Sequence, residues 1–230
     1  MQPAQKRNIY AKHPSFDGPS RSRERRHLMP KLASRFHLIA PDLPSFGFTT
    51  VEENKGYQFT FAGLTKTIQG LVNELSLRRF AMYVFDYGAP VGFNLAVAKP
   101  DSVSAIISQN GNAYEEGLGA TVSGIEPEAY WLDAALLGRP GMMELQTDLK
   151  LDYKSNIERY PLYQQYLRTY RPPVLAMWGK NDTFFIPPGA EAFKRDVPDA
   201  DVRFLDTGHF ALETNVDDFA SAILKMAVNA

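Results

Sequence analysis

Residues 80–85, Phe-Ala-Met-Tyr-Val-Phe, form an almost unbroken apolar run that stops abruptly at Asp86. A run of this length and character suits a parallel strand buried on both faces. Gly88 and Gly92 follow, and residues 87–98 then read as a packed helix. Strand, tight turn and helix, with one reactive side chain at the turn, is the layout of a nucleophile elbow. Small residues around the turn let strand and helix approach and tolerate unusual backbone angles. The residue at the reactive position is Asp86 rather than serine. Other readings compete. A membrane span over residues 80–98 is opposed by Asp86, Gly88, Pro90 and Gly92. A dinucleotide-binding turn needs G-x-G-x-x-G, which Gly88 and Gly92 do not supply. A structural Asp86 capping the following helix stays open on this stretch alone.

A chain of 230 residues with 44% hydrophobic and 22% charged residues suits one globular domain with its own core. The net charge of −1 gives no reason to expect nucleic acid or an anionic membrane as partner. There is no cysteine, which excludes disulfides, thiolate catalysis and cysteine metal sites. His13, His27, His37 and His209 do not cluster in sequence, so neither a metal nor a cofactor is expected. The start shows no apolar core of a secretory leader, and a cytoplasmic location is expected. Residues 1–35 are basic, with nine lysines and arginines against Asp17 and Glu24. A solvated helix face over residues 23–32 is the preferred reading there, with a transit segment as the alternative.

Along the chain, residues 36–40 read as a strand, broken by the turn residues of 41–47. Residues 57–75 carry helical spacing through Phe61, Leu64, Ile68, Leu71 and Leu75. Residues 103–108 are another buried strand. Alternating strands and helices imply a parallel sheet. From residue 110 to about 171 no strand is evident; residues 126–137 and 143–170 look helical, with tyrosines scattered through them. Residues 173–178 resume the sheet, 190–195 form a helix, 202–205 a last strand and 210–230 a closing helix. A helical insertion between two parallel strands would lie over the sheet's C-terminal edge, where open α/β sheets place their sites.

Asp86, Asp182 and His209 each follow one of these strands at that edge, in the order nucleophile, acid, histidine. Four stretches make the chain resemble the α/β-hydrolase superfamily, in the branch of haloalkane dehalogenases and epoxide hydrolases. They are Phe36-His37-Leu38-Ile39-Ala40-Pro41-Asp42-Leu43-Pro44, Phe85-Asp86-Tyr87-Gly88-Ala89-Pro90, Trp178-Gly179-Lys180-Asn181-Asp182 and Asp206-Thr207-Gly208-His209-Phe210. The resemblance implies an α/β fold: a mostly parallel sheet with flanking helices, N-terminally shortened. Residues 1–110 and 172–230 would form the core and residues 111–171 a small helical cap. It implies Asp86 as nucleophile, His209 as general base, Asp182 as the acid that orients it, and the Tyr87 backbone N–H as an oxyanion donor. A carboxylate attacks an sp³ carbon well, so small epoxides or haloalkyl compounds are the expected substrates, and a catalytically impaired binding homologue is the alternative. Tyr87, Tyr130 or Tyr153 are candidates to donate a hydrogen bond to an epoxide oxygen.

The sequence departs from that pattern near its start. Where the superfamily carries His-Gly-x-Pro, this chain reads Phe16-Asp17-Gly18-Pro19. The strand that should lie between those at 36–40 and 80–85 has only residues 8–12 as a candidate, and these are polar for a central strand. The sheet is therefore expected to be damaged there, or rebuilt by the first 35 residues. The two still earlier strands of the superfamily have no counterpart. Val84 is larger than the glycine that serine members often carry two positions before the nucleophile.

Overall fold

A computed structural model describes residues 7–12, 22–44, 46, 49, 51, 56–119 and 142–229. Six strands form one sheet: β1 (Arg7–Lys12), β2 (Phe36–Ile39), β3 (Phe80–Phe85), β4 (Val103–Gln109), β5 (Val174–Gly179) and β6 (Asp201–Leu205). They lie in the order β2-β1-β3-β4-β5-β6, and every neighbouring pair is parallel. The central strands are apolar on both faces because both faces are covered. In β3, Phe80, Met82 and Val84 join one core cluster, while Tyr83 and Phe85 join another. In β5, Val174, Ala176 and Trp178 alternate with Leu175 and Met177 in the same way. This two-residue alternation assigns each side chain to one side of the sheet.

Helix α1 (Ser22–Leu32) and helix α8 (Ala211–Asn229) cover the side of Tyr83 and Phe85, through Leu28, Leu32, Leu212, Phe219 and Ile223. Helices α2 (Phe61–Glu74) and α3 (Gly88–Ala98) cover the other side. Residues 57–59 stand outside α2, contrary to the spacing argument. Thr60 has an extended backbone and its hydroxyl accepts from the Gly63 N–H, so the helix starts at its cap.

The gap expected beside β3 is filled. β1 pairs with β2 from Arg7↔Phe36 to Tyr10↔Ile39, and with β3 from Ile9↔Ala81 to Lys12↔Val84. The first 35 residues thus rebuild the central strand. The backbone ladder to two strong neighbours imposes extended structure on a sequence whose own strand preference is weak. No strand among the described residues lies beyond β2.

Between β4 and β5 lie α4 (Met142–Ile157) and α5 (Tyr160–Tyr170). The sequence suggested one continuous helix over 143–170. It breaks at residues 158–159, and Pro161 stands in the first turn of α5, where its missing N–H costs nothing. The carboxylate of Asp152 on α4 accepts from the Phe61 N–H at 2.7 Å, docking α4 on the positive end of α2. Two short helices, α6 (Pro187–Glu191) and α7 (Phe193–Asp196), take the place of the single helix expected over 190–195. The helix expected at 126–137, Tyr130 and the stretch Phe16–Pro19 lie outside the described residues. Among the described residues no helix is long and apolar enough to cross a membrane.

Candidate functional site

Four polar residues stand at the C-terminal ends of adjacent strands: Asp86 after β3, Asn110 after β4, Asp182 after β5 and His209 after β6. Asp86 has φ of +45°, a left-handed conformation that costs a non-glycine residue about 1–2 kcal/mol. The strain turns the chain from β3 into α3 and projects the carboxylate at the turn. Asp86 does not cap α3. The cap position is Tyr87, which makes no side-chain capping bond. The bulk of Val84 is accommodated by Gly92, where a Cβ would meet Val84 Cγ1 at 2.5 Å. The close packing that other sequences obtain with a glycine before the nucleophile is here obtained from its neighbours.

Asp182 is held by four donors. Its Oδ1 accepts from the N–H groups of Phe184 at 2.8 Å and Phe185 at 3.1 Å. Its Oδ2 accepts from Asn110 Nδ2 at 2.6 Å and lies 2.8 Å from His209 Nδ1. The turn is fixed from outside by Trp178 Nε1, which donates to the Phe185 carbonyl at 2.6 Å. Sequence reasoning passed over Asn110, which lies at the start of a glycine-rich loop. Its signal was its place at a fourth strand end. It has φ of +42°, tolerable for asparagine, and its Oδ1 accepts from the Gly179 N–H at 3.3 Å.

The other imidazole nitrogen, His209 Nε2, faces Asp86 Oδ2 at 3.9 Å. The ring is enclosed by Phe85, Phe184, Phe185 and Phe210, with centroids 4.7–5.8 Å away. Burial opposes the imidazolium. The carboxylates of Asp182 and Asp86 outweigh it and push the histidine up to about 10. The ring therefore rests as a cation between two carboxylates.

The turns that carry Asp182 and His209 press together. Lys180 N–H donates to Leu205 O at 2.9 Å and Asn181 N–H to Thr207 O at 3.0 Å. A Cβ on Gly179 would lie 1.9 Å from the Gly208 carbonyl oxygen. Gly179→Ala is expected to force the two turns apart and to lower turnover by about 10²-fold, the scale of a 1 Å misplacement. Steady-state kinetics on a variant that still unfolds cooperatively checks this.

Tyr153 on α4 closes the site. Its ring packs on Tyr87 at 5.7 Å and edge-on against Phe61 at 5.7 Å. Its hydroxyl lies 3.3 Å from that of Tyr160, to which Asn112 Nδ2 donates at 3.4 Å. Burial is the main force raising the Tyr153 hydroxyl well above the ordinary phenol range, and the nearby Asp86 charge adds to it. Tyr160 is pushed up to about 12, chiefly by burial. Both stay neutral donors at ordinary pH. Arg159 Nε and the Tyr163 hydroxyl donate to Asn94 Oδ1 at 2.6 and 3.0 Å, tying α5 to α3 just behind the elbow. Among the described residues no group of three or more histidine, aspartate or glutamate side chains could hold a metal.

A parallel sheet with its polar residues gathered at the strand ends, around a strained elbow, defines a class. The family model described as alpha/beta hydrolase fold matches residues 18–142 and 139–216. The chain belongs to the α/β-hydrolase fold family and is a hydrolase of that general type. It is 42% identical to the uncharacterized hydrolase YNR064C of Saccharomyces cerevisiae, over 90% of this chain and 86% of the relative. That alignment spans 250 residues, more than this chain's 230, so it opens gaps in the chain. Among solved structures, a 2-hydroxy-6-oxo-6-phenylhexa-2,4-dienoate hydrolase from Rhodococcus superposes with a TM-score of 0.79 at 17% identity, covering 96% of this chain and 90% of that one. The haloalkane dehalogenase DbeA from Bradyrhizobium elkani gives 0.71 at 15% identity, covering 99% and 92%. At these identities the structures speak for the fold.

Proposed function

We propose that the protein opens epoxides through an ester on Asp86. The observation that carries this reading is the two-sided placement of His209, with Nδ1 held by Asp182 at 2.8 Å and Nε2 facing the Asp86 carboxylate at 3.9 Å. A serine nucleophile must hand its proton to the histidine. A carboxylate is already ionised and needs no such bond, so the histidine is free for a later step. Asp86 attacks an epoxide carbon, the C–O bond breaks, and the ester forms. The negative charge on Asp86 is then gone. One of the two attractions that raise His209 is lost, and its proton is released to complete the new alcohol. Neutral His209 next takes a proton from water, which attacks the ester carbonyl carbon. The oxygen negative charge that develops there lies beside the Tyr87 N–H, at the positive end of α3. Collapse regenerates the Asp86 carboxylate and the protonated histidine and releases a vicinal diol. The balance is epoxide plus water to diol.

Epoxides are preferred over haloalkanes because the donor beside Asp86 is a phenol. A neutral Tyr153 hydroxyl suits an oxygen acquiring negative charge. In this reading residues 111–171 act as a cap that brings Tyr153 over the nucleophile. Tyr153→Phe is expected to lower epoxide turnover by about 10²–10³-fold, as loss of one such donor does, while leaving any haloalkane turnover nearly unchanged. Parallel assays with terminal epoxides and bromoalkanes measure the ratio.

The ester itself is tested by a single turnover in heavy-oxygen water. The first product should carry ordinary oxygen donated by Asp86, and the enzyme should gain the label in the Asp86 carboxylate. Label in the first product would sink the mechanism. Ligand binding with no labelling of Asp86 would mark a binding homologue instead.

A further inference from the structure

Asp152 takes no part in the chemistry above, yet it stands beside Tyr153 on α4. Its Oδ2 accepts from the Phe61 N–H at 2.7 Å, across 91 positions of sequence. Phe61 opens α2, where the first N–H groups have no partner within the helix. The helix's own cap, Thr60, takes the Gly63 N–H, which leaves the Phe61 N–H for Asp152. The Phe61 ring completes the link. It packs edge-on against Tyr153 at 5.7 Å and against Tyr87, the residue next to Asp86, at 5.1 Å. One residue thus holds α4 by its backbone and sets Tyr153 against the elbow by its side chain. A second tie lies further along the chain, where Arg159 Nε donates to Asn94 Oδ1 on α3 at 2.6 Å. Asp152 is the tie that adjoins Tyr153, and Leu151 just before it is exposed and holds nothing inward.

We propose that Asp152 is a positioning residue that holds the Tyr153 hydroxyl where it meets the epoxide oxygen. This rests on the epoxide reading above and assigns what sets the place of its donor. The carboxylate and the positive end of α2 attract each other, which makes this bond stronger than one between neutral groups. The attachment acts on one step alone. Ester formation needs the phenol at the leaving oxygen, whereas ester hydrolysis runs through His209, Asp182 and the Tyr87 N–H. Loosening α4 at Asp152 therefore slows the first step and spares the second. The fold survives the loss, because α5 stays attached to α3 through Arg159 and Tyr163, both of which donate to Asn94.

Rapid-quench mass spectrometry with a terminal epoxide follows formation and decay of the Asp86 ester separately. Asp152→Ala should slow formation by about 10²-fold, the scale of a 1 Å misplacement, and leave decay unchanged. Asp152→Asn keeps an oxygen for the Phe61 N–H and loses only the charge, so it should stay within about fivefold of the wild type. In a Tyr153→Phe background, Asp152→Ala should have no further effect, because the hydroxyl it places is already gone. Equal slowing of both steps, no slowing of either, or an undiminished effect in the Tyr153→Phe background overturns the proposal. If Tyr153→Phe itself leaves formation unchanged, Tyr153 is not the donor and both readings fall. Fluorine NMR of the protein with fluorotyrosine replacing Tyr153 reads the placement without turnover. The wild type and Asp152→Asn should give one matching resonance, and Asp152→Ala a shifted or broadened one. If no epoxide is opened but the resonance moves in this way, the placement of Tyr153 by Asp152 stands and the epoxide chemistry falls. If the resonance of Asp152→Ala matches the wild type, the proposal falls whatever the chemistry does.

Discussion

His209→Gln should stop the enzyme after the first half-reaction, with the substrate left attached to Asp86. Glutamine can still donate an amide proton toward Asp182, so the buried carboxylate keeps its four donors and the turn keeps its shape. It cannot act as a base. Ester formation keeps the Asp86 carboxylate and the Tyr153 donor; it loses the proton that His209 supplies to the leaving oxygen, which water must then provide, so it slows but survives. Ester hydrolysis loses its general base, a loss of typically about 10²–10⁴-fold. The attached species then accumulates and is read by intact-protein mass spectrometry followed by peptide mapping to Asp86. The mass also identifies the substrate class. An epoxide adds its whole mass, because no atom leaves, whereas a haloalkane adds its mass less that of the hydrogen halide. An unmodified, cooperatively folded variant after exposure to both classes would remove Asp86 from the nucleophile role.

Much of this arrangement was legible because the informative strands are buried on both faces. The run at 80–85 must be apolar throughout, so Asp86 at its end stands out; Asp182 and His209, three and four residues beyond β5 and β6, are legible by their places after later strands in the order acid, then histidine. β1 was hard to read for the opposite reason. Arg7, Asn8 and Lys12 carry no apolar signal, and what makes this segment a strand is the pair of ladders offered by β2 and β3. Asn110 was hidden by its surroundings: it opens a loop rich in glycine, and asparagine in loops usually marks only a turn. Its contact with Asp182 joins residues 72 positions apart, which no local pattern encodes. The break between α4 and α5 was encoded, in Pro161, but the apolar spacing on either side concealed it.

Asp182→Asn should leave a folded protein with turnover reduced by about 10³–10⁴-fold and an altered response to pH. The reason is a conflict of donors. Asparagine can keep one oxygen toward the N–H groups of Phe184 and Phe185, which puts its amide against His209 Nδ1 and Asn110 Nδ2, both of them donors in the wild type. The imidazole relieves the clash by giving up its Nδ1 proton and holding the remaining one on Nε2, the nitrogen that faces Asp86. That tautomer cannot take a proton from water, so the ester on Asp86 accumulates as it does in His209→Gln. The charge balance changes as well. In the wild type His209 is raised from 6.5 to about 10, against the cost of its burial, first by the attraction of Asp182. A raised histidine contributes stability that is fully present below about 6.5 and disappears as pH climbs through about 10. Without the Asp182 charge, burial pulls the histidine down and this contribution shrinks. The wild type should therefore exceed the variant in melting temperature most at about pH 6, and the gap should narrow steadily toward pH 10. A gap constant across that range would mean that the Asp182 charge does not hold the proton on His209, and the release of that proton when Asp86 is esterified would lose its basis.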